Sequence, residues 1–267
     1  ASPRWPRSLS TACTRIYVGD EFCIARMPSL SELKRFGALA IKMGHDLTLL
    51  TPVMTDKEIE GASPLFGYLN ENLPGTEIVF NDWGVMAYLS KHGSALKLSA
   101  GRVLNKGFKD PRLKPPSPLK DYADASFDAL LNGSTFDGPW IRDHLLAMDI
   151  GRCEQDLLPY QTNPAAAGDE LQTSIYFPFG YVTSGRICWT ASFDQPAGKR
   201  FMPIDRCSRP CSDFMLELKS TQFAFRIFQS GNTIFYLYPT GRLGSLLQTA
   251  ATNGLRLVYQ GFGFEAS

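Results

Sequence analysis

Apolar positions along this chain switch between two spacings. Short alternating or continuous apolar runs occur at Arg15–Gly19, Asp46–Leu50, Glu77–Phe80 and Thr233–Leu237, and again at 95–99, 150–153, 174–177 and 255–259. Between them lie stretches with apolar residues three and four apart, the signature of a half-buried helix. Ser29 and Glu32 form a capping pattern ahead of a helix through Met43, which Gly44 stops. Thr55 caps a second helix that runs to Asn72, and Asn81-Asp82 cap a third over Trp83–His92. Residues 139–148 and 243–251 read as two more. Strands alternating with helices predict a largely parallel sheet. About eight such strands in a chain of this length predict an α/β fold of the (β/α) barrel type, an incomplete or distorted TIM-type barrel. It would form a single domain over 1–267, with an extended segment at 1–14 and a cysteine-bearing insertion at 188–230. Within that insertion, 215–218 and 223–228 suggest a small antiparallel excursion. Thr233–Leu237, the helix after it and 255–259 read as a closing βαβ unit.

Composition refines this picture. The 267 residues are 44% hydrophobic, enough to bury a sizeable core. Lys and Arg number 27 against 26 Asp and Glu, a net charge of +1. That balance argues against affinity driven by a phosphate backbone, so nucleic acid is not indicated as a partner. The charge is unevenly spread, however. Residues 101–120 carry Arg102, Lys106, Lys109, Arg112, Lys114 and Lys120 against Asp110 alone, with Pro111, Pro115, Pro116 and Pro118. This is either a solvated loop or a site for a small anionic ligand, a phosphate or an acidic partner, with Arg102 as its anchor just past a strand end. No apolar run is long enough to span a bilayer. The first seven residues lack the apolar stretch of a leader, so a cytoplasmic location is expected.

The six cysteines are the sharpest chemical signal. Cys188 is followed, after 18 intervening residues, by the C-x3-C pair Cys207-Ser208-Arg209-Pro210-Cys211. Closely spaced thiolates can face one centre from a turn, and a third can arrive from a separate strand end. Soft thiolate ligands select zinc or an iron–sulfur cluster. The fourth ligand would be Cys23, a few residues past the first strand, with Cys153 as its rival. Cys13 precedes that strand and stands apart. Arg186, Arg206 and Arg209 would offset thiolate charge. The alternative is a set of buried apolar thiols.

Three stretches carry a family likeness: Ile16-Tyr17-Val18-Gly19-Asp20-Glu21-Phe22-Cys23; Val79-Phe80-Asn81-Asp82-Trp83-Gly84; and Phe179-Gly180 through Gly185-Arg186-Ile187-Cys188 to Cys207-Ser208-Arg209-Pro210-Cys211. In these the chain resembles peptidase family U32 (collagenase-like), and within it the iron–sulfur branch that acts in oxygen-independent hydroxylation, including a ubiquinone-biosynthesis member. The likeness spans residues 15–260 loosely. It departs from the family at Ile187, which intervenes between Arg186 and Cys188. The Cys188–Cys207 interval is longer, and Thr173-Ser174-Ile175-Tyr176 offers no acid ahead of Phe-Gly. The resemblance implies a four-iron four-sulfur (4Fe-4S) cluster on Cys23, Cys188, Cys207 and Cys211 and a barrel-like α/β core. It also implies an enzyme or enzyme subunit that hydroxylates an aromatic or nucleic-acid-borne substrate. A second U32-like subunit or a homodimer is the expected partner.

Candidate catalytic residues are Asp82, Arg102 and Arg186. Asp82 reads equally as an acid, base or acceptor and as a helix cap. His45, His92 and His144 are isolated and read as structural. Tyr236, Tyr238 and Tyr259 read as core. No Ser–His–Asp pattern, HExxH, GxGxxG or Walker motif is present, so the peptidase reading rests on the family's name alone. A zinc- or cluster-stabilised partner-binding module is the non-catalytic alternative.

Overall fold

The computed structural model describes residues 13–110, 133–158, 170–193, 195–202 and 207–261. Its chain forms two compact units, residues 1–101 with 262–267, and residues 102–261. Much of the basic loop (111–120), Arg206 and most of the 1–14 segment lie outside the described residues.

The first unit is a run of βα repeats. Strands β1 (Arg15–Gly19), β2 (Asp46–Leu50), β3 (Glu77–Phe80) and β4 (Lys97–Ala100) pair in that order, all parallel. Helices α1 (Leu30–Met43), α2 (Asp56–Asn72) and α3 (Trp83–His92) connect them. The caps are those the sequence predicts. Ser29 Oγ accepts from the Glu32 amide while Glu32 reaches back to the Ser29 amide, and Thr55 with Glu58 repeats the pattern. Ile78, Val79 and Phe80 are fully buried, as in a strand covered on both faces.

The second unit holds a parallel trio and a separate antiparallel sheet. Helix α4 (Pro139–Ala147) precedes β5 (Arg152–Asp156), which pairs in parallel with β6 (Gln172–Phe177); β6 in turn pairs with β11 (Arg256–Tyr259). The antiparallel sheet runs in the order β7 (Phe179–Ser184), β10 (Thr233–Leu237), β9 (Ile227–Ser230), β8 (Leu216–Leu218). The short helix α5 (Trp189–Ser192) follows β7, and α6 (Thr240–Asn253) links β10 to β11.

The α/β class and the parallel pairing hold: seven described strands run parallel to their neighbours within the two units. Two expectations are corrected. The antiparallel portion is larger than a small excursion within 188–230, because it recruits β7 and β10. Thr233–Leu237 is therefore not the first strand of a βαβ unit. It pairs antiparallel with β7 and β9, and β11 pairs instead with β6. The physical cause is the tight turn Gly231-Asn232, with Gly231 at φ +61, which folds β10 straight back on β9. A Gly-Asn pair between two apolar runs is itself a hairpin signal.

The core of the second unit gathers Leu157, Ile175, Ile227, Tyr236, Tyr238 and Leu246. Gly180 in β7 has a steric role here, because a methyl at that position would enter the ring of Tyr236 on the paired strand. Gly180→Ala is expected to cost about 1–3 kcal/mol through overpacking. Gly198→Ala, at a glycine with open space around it, is expected to be near-neutral. Urea denaturation of both variants checks the contrast.

Candidate functional site

In the first unit, strand ends hold two of the residues singled out from sequence. Past β1, the Asp20 carboxylate accepts from the amides of Phe22 (2.8 Å) and Cys23 (2.9 Å) and pairs with Arg26 at 3.2 Å. This turn sets the half-buried Cys23 at the start of a short 3-10 turn. Past β3, buried Asn81 donates to the Thr51 carbonyl at 2.9 Å. Asp82 then caps α3, its Oδ1 accepting from Gly84 N (2.6 Å) and Val85 N (3.3 Å). Of the two readings of Asp82, the cap is what the geometry supplies.

In the second unit, Cys211 and the helix after Cys188 meet the β9–β10 hairpin, and Cys207 lies within electrostatic range of Cys188. Cys188 precedes α5, and its Sγ accepts from the Ala191 amide at 3.4 Å. Thr190 of that helix donates to the Gly231 carbonyl at 3.3 Å. Cys211 is buried in the turn Pro210–Ser212 and lies against the same glycine. Cys207 accepts from the Arg209 amide at 3.3 Å and is near enough to Cys188 for their charges to interact. Burial first, then the neighbouring Cys207, push the Cys188 thiol up. Among the described residues, no three His, Cys, Asp or Glu side chains are grouped to hold a metal ion as they stand. No disulfide joins any of the six cysteines.

Cys153 is a different kind of thiol. It is fully buried within β5, near Thr173 and Gln155, and burial pushes it up to about 11.

The second unit also contains a cluster that sequence reading only partly foresaw. Arg102, two residues past β4, is wholly buried and its Nη1 donates to Asp156 Oδ1 at 2.8 Å. Lys109 donates to Asp156 Oδ2, also at 2.8 Å. The Arg102 guanidinium stacks 3.6 Å from the centre of the Tyr176 ring, and Lys109 sits 4.0 Å over Tyr181. Burial works to raise the Asp156 carboxyl, but the charges of Lys109 and Arg102 overcome it and hold the group below the usual carboxylate range. Tyr238 Oη accepts from the Leu157 amide at 2.8 Å and Tyr236 donates to the Leu157 carbonyl, fixing the backbone beside Asp156. Burial, and then neighbouring negative charge, hold both phenols protonated.

The basic loop therefore divides. Arg102 and Lys109 turn inward, whereas Lys106 is exposed. Arg186 is exposed on the segment between β7 and Cys188. The roles of Asp156, Tyr176 and Tyr181 were not anticipated. The available signal was an acid ending a predicted strand, but the sequence pattern places that strand at 150–153 and so stops short of Asp156.

No family model matches the chain, and no curated protein or solved structure matches it.

Asp156→Asn leaves Arg102 buried with its nearest counter-charge gone, and is expected to cost about 3–5 kcal/mol in urea denaturation. Because the folded Asp156 titrates below its unfolded value, its contribution is complete above the unfolded value and is lost as pH falls through the folded one. An acid titration of stability should show the wild type losing this advantage over the variant. Cys153, by contrast, should resist alkylation in the native protein at pH 8 and react once the chain is unfolded; mass spectrometry of the labelled peptides reads both states.

Proposed function

We propose that the chain is an iron–sulfur protein of the U32-like type, an enzyme or enzyme subunit in oxygen-independent hydroxylation of an aromatic or nucleic-acid-borne substrate. The observation that carries this reading is that Cys211 and the helix after Cys188 both meet the Gly231 hairpin, with Cys207 within electrostatic range of Cys188. The donor set fits: soft thiols, two of them within electrostatic range, call for a thiophilic cation or cluster rather than a hard one. A 4Fe-4S cluster bound there would supply electron transfer or a Lewis-acidic iron.

The chain's own residues have definable parts in this scheme. Cys188, Cys207 and Cys211 would be ligands from the second unit; Cys23 is named as the fourth by the sequence likeness alone. Cys23 is favoured over Cys153, because its turn is half-buried and built by Asp20, whereas Cys153 is enclosed in β5. Exposed Arg186 and Arg209 flank the thiols in sequence and would offset their charge. The parallel strands within each unit are of the kind an incomplete barrel uses. Cys23, Asp82 and Arg102 each follow the carboxyl end of such a strand, the end where barrels collect functional groups. Structural zinc on the same thiols is the second reading, favoured by the length of the Cys188–Cys207 interval, since structural cages tolerate variable loops.

Anaerobic reconstitution decides between them. The expected product is brown, with iron and sulfide in about equal amounts and broad absorbance near ~400 nm. Cys207→Ala should lose the iron, while Cys153→Ala should keep it. A colourless protein that binds stoichiometric zinc would replace the cluster with the structural reading. Iron retained by Cys207→Ala would overturn the ligand set.

A further inference from the structure

We propose that helix α5 and the turn after it dock on an anionic membrane surface. Trp189, Phe193, Phe201 and Met202 would enter the headgroup region, and Lys199 and Arg200 would meet lipid phosphates. The four apolar side chains are 53%, 49%, 45% and 53% exposed. Single exposed apolar residues are ordinary, but these belong to one surface. Trp189 and Phe193 are four residues apart through α5 and so share a side of it. The rings of Trp189 and Phe201 meet with centres 5.0 Å apart, and Met202 follows directly.

This tip is held in shape from beneath. Buried Ser192 donates its hydroxyl to the Cys188 carbonyl at 2.8 Å, and the same oxygen accepts from the Phe201 amide at 3.3 Å. The turn is thereby tied to α5. Phe201 sits at φ +59, in the left-handed region that bulky residues rarely adopt. Glycine would meet that backbone demand more easily, yet the position carries an aromatic ring that stands half out in solvent. Strain of this kind persists where the surroundings impose it, and it collects at functional surfaces.

Charge selects the partner. Lys199 and Arg200 are exposed and immediately precede Phe201, and exposed Arg186 lies three residues before Trp189. Between positions 186 and 202 the sequence sets these three bases against one acid, Asp194. A second copy would bring like charges together across a two-fold contact. An anionic surface remains. Lysine is depleted at protein interfaces, whereas aromatic rings beside Lys and Arg are the composition of segments that lie in the bilayer interface. A bilayer also accepts apolar side chains without a matching groove, while long basic stems lie along it and keep their charged ends at the headgroups. Among the described residues no helix is long and apolar enough to cross a membrane, so the contact is with the surface. The thiols take no part in it, so this proposal and the cluster reading fail independently.

Vesicle flotation of the full chain is the test, with phosphatidylcholine vesicles in one arm and mixed phosphatidylcholine–phosphatidylserine vesicles in the other. Wild-type protein should float with the mixed vesicles only, and release them at about 1 M salt, where screening reaches within about 3 Å. The double variant Lys199→Gln, Arg200→Gln should partition about 10- to 30-fold more weakly, because each base near an anionic surface contributes a several-fold factor. Phe201→Gly suits the left-handed backbone and removes only the ring. It should keep a melting curve close to that of the wild type while binding the mixed vesicles more weakly. Absence of flotation by the wild type would overturn the proposal, as would undiminished flotation of either folded variant. Retention on immobilised poly-glutamate without flotation would assign the tip to an acidic protein instead. Dimerisation lost in Phe201→Gly, again without flotation, would assign it to a second copy.

Discussion

The carboxylate of Asp156 is the constraint around which the second unit is organised. A charge with no solvent exposure is stable only when opposite charge and hydrogen bonds surround it. Here Arg102 arrives from the segment after β4 and Lys109 from seven residues further along, each at 2.8 Å. Each cation is covered by a tyrosine ring. The backbone beside the acid is held by two more tyrosines from β10 and the residues after it. Shifting β5 by one residue against β6 would turn Asp156 to the opposite face, so the cluster also fixes strand register.

The same tyrosines connect the parallel trio to the antiparallel sheet. Tyr236 reaches Leu157 only because Gly180 on β7 leaves room for its ring. Gly180 thus has a packing function that any side chain larger than hydrogen would obstruct. The antiparallel sheet then turns at Gly231, and that turn receives both α5, through Thr190, and the Cys211 turn. The hairpin thus receives the helix after Cys188 and the Cys211 turn. Neither the 18-residue interval nor the C-x3-C spacing specifies it.

Two chemistries coexist in this unit and make opposite demands. Burial pushes the Cys188 thiol up, while the charges of Lys109 and Arg102 hold Asp156 ionised despite its burial. The first unit contributes ordered strand ends. The Asp20 turn sets Cys23, and Asp82 is engaged as the cap of α3.

Much of the architecture was legible in the residues themselves. Ser29 with Glu32 and Thr55 with Glu58 announce helix starts because capping is local, and β1 to β3 fall where their apolar runs predict. Arg102 also stood out, as a base just past a strand end, and the structure buries it against Asp156. What the sequence could not disclose were relations between distant positions. The partner of β10 depended on which of two sheets could bury Phe235 and Tyr236, and the hairpin decided it. Asp156 looked like an ordinary strand-end acid, since burial is a property of the assembled fold. Local hydrogen bonding and side-chain spacing determined the elements. The tertiary structure decided which charges are deprived of water, and with that which residues have a chemistry to perform.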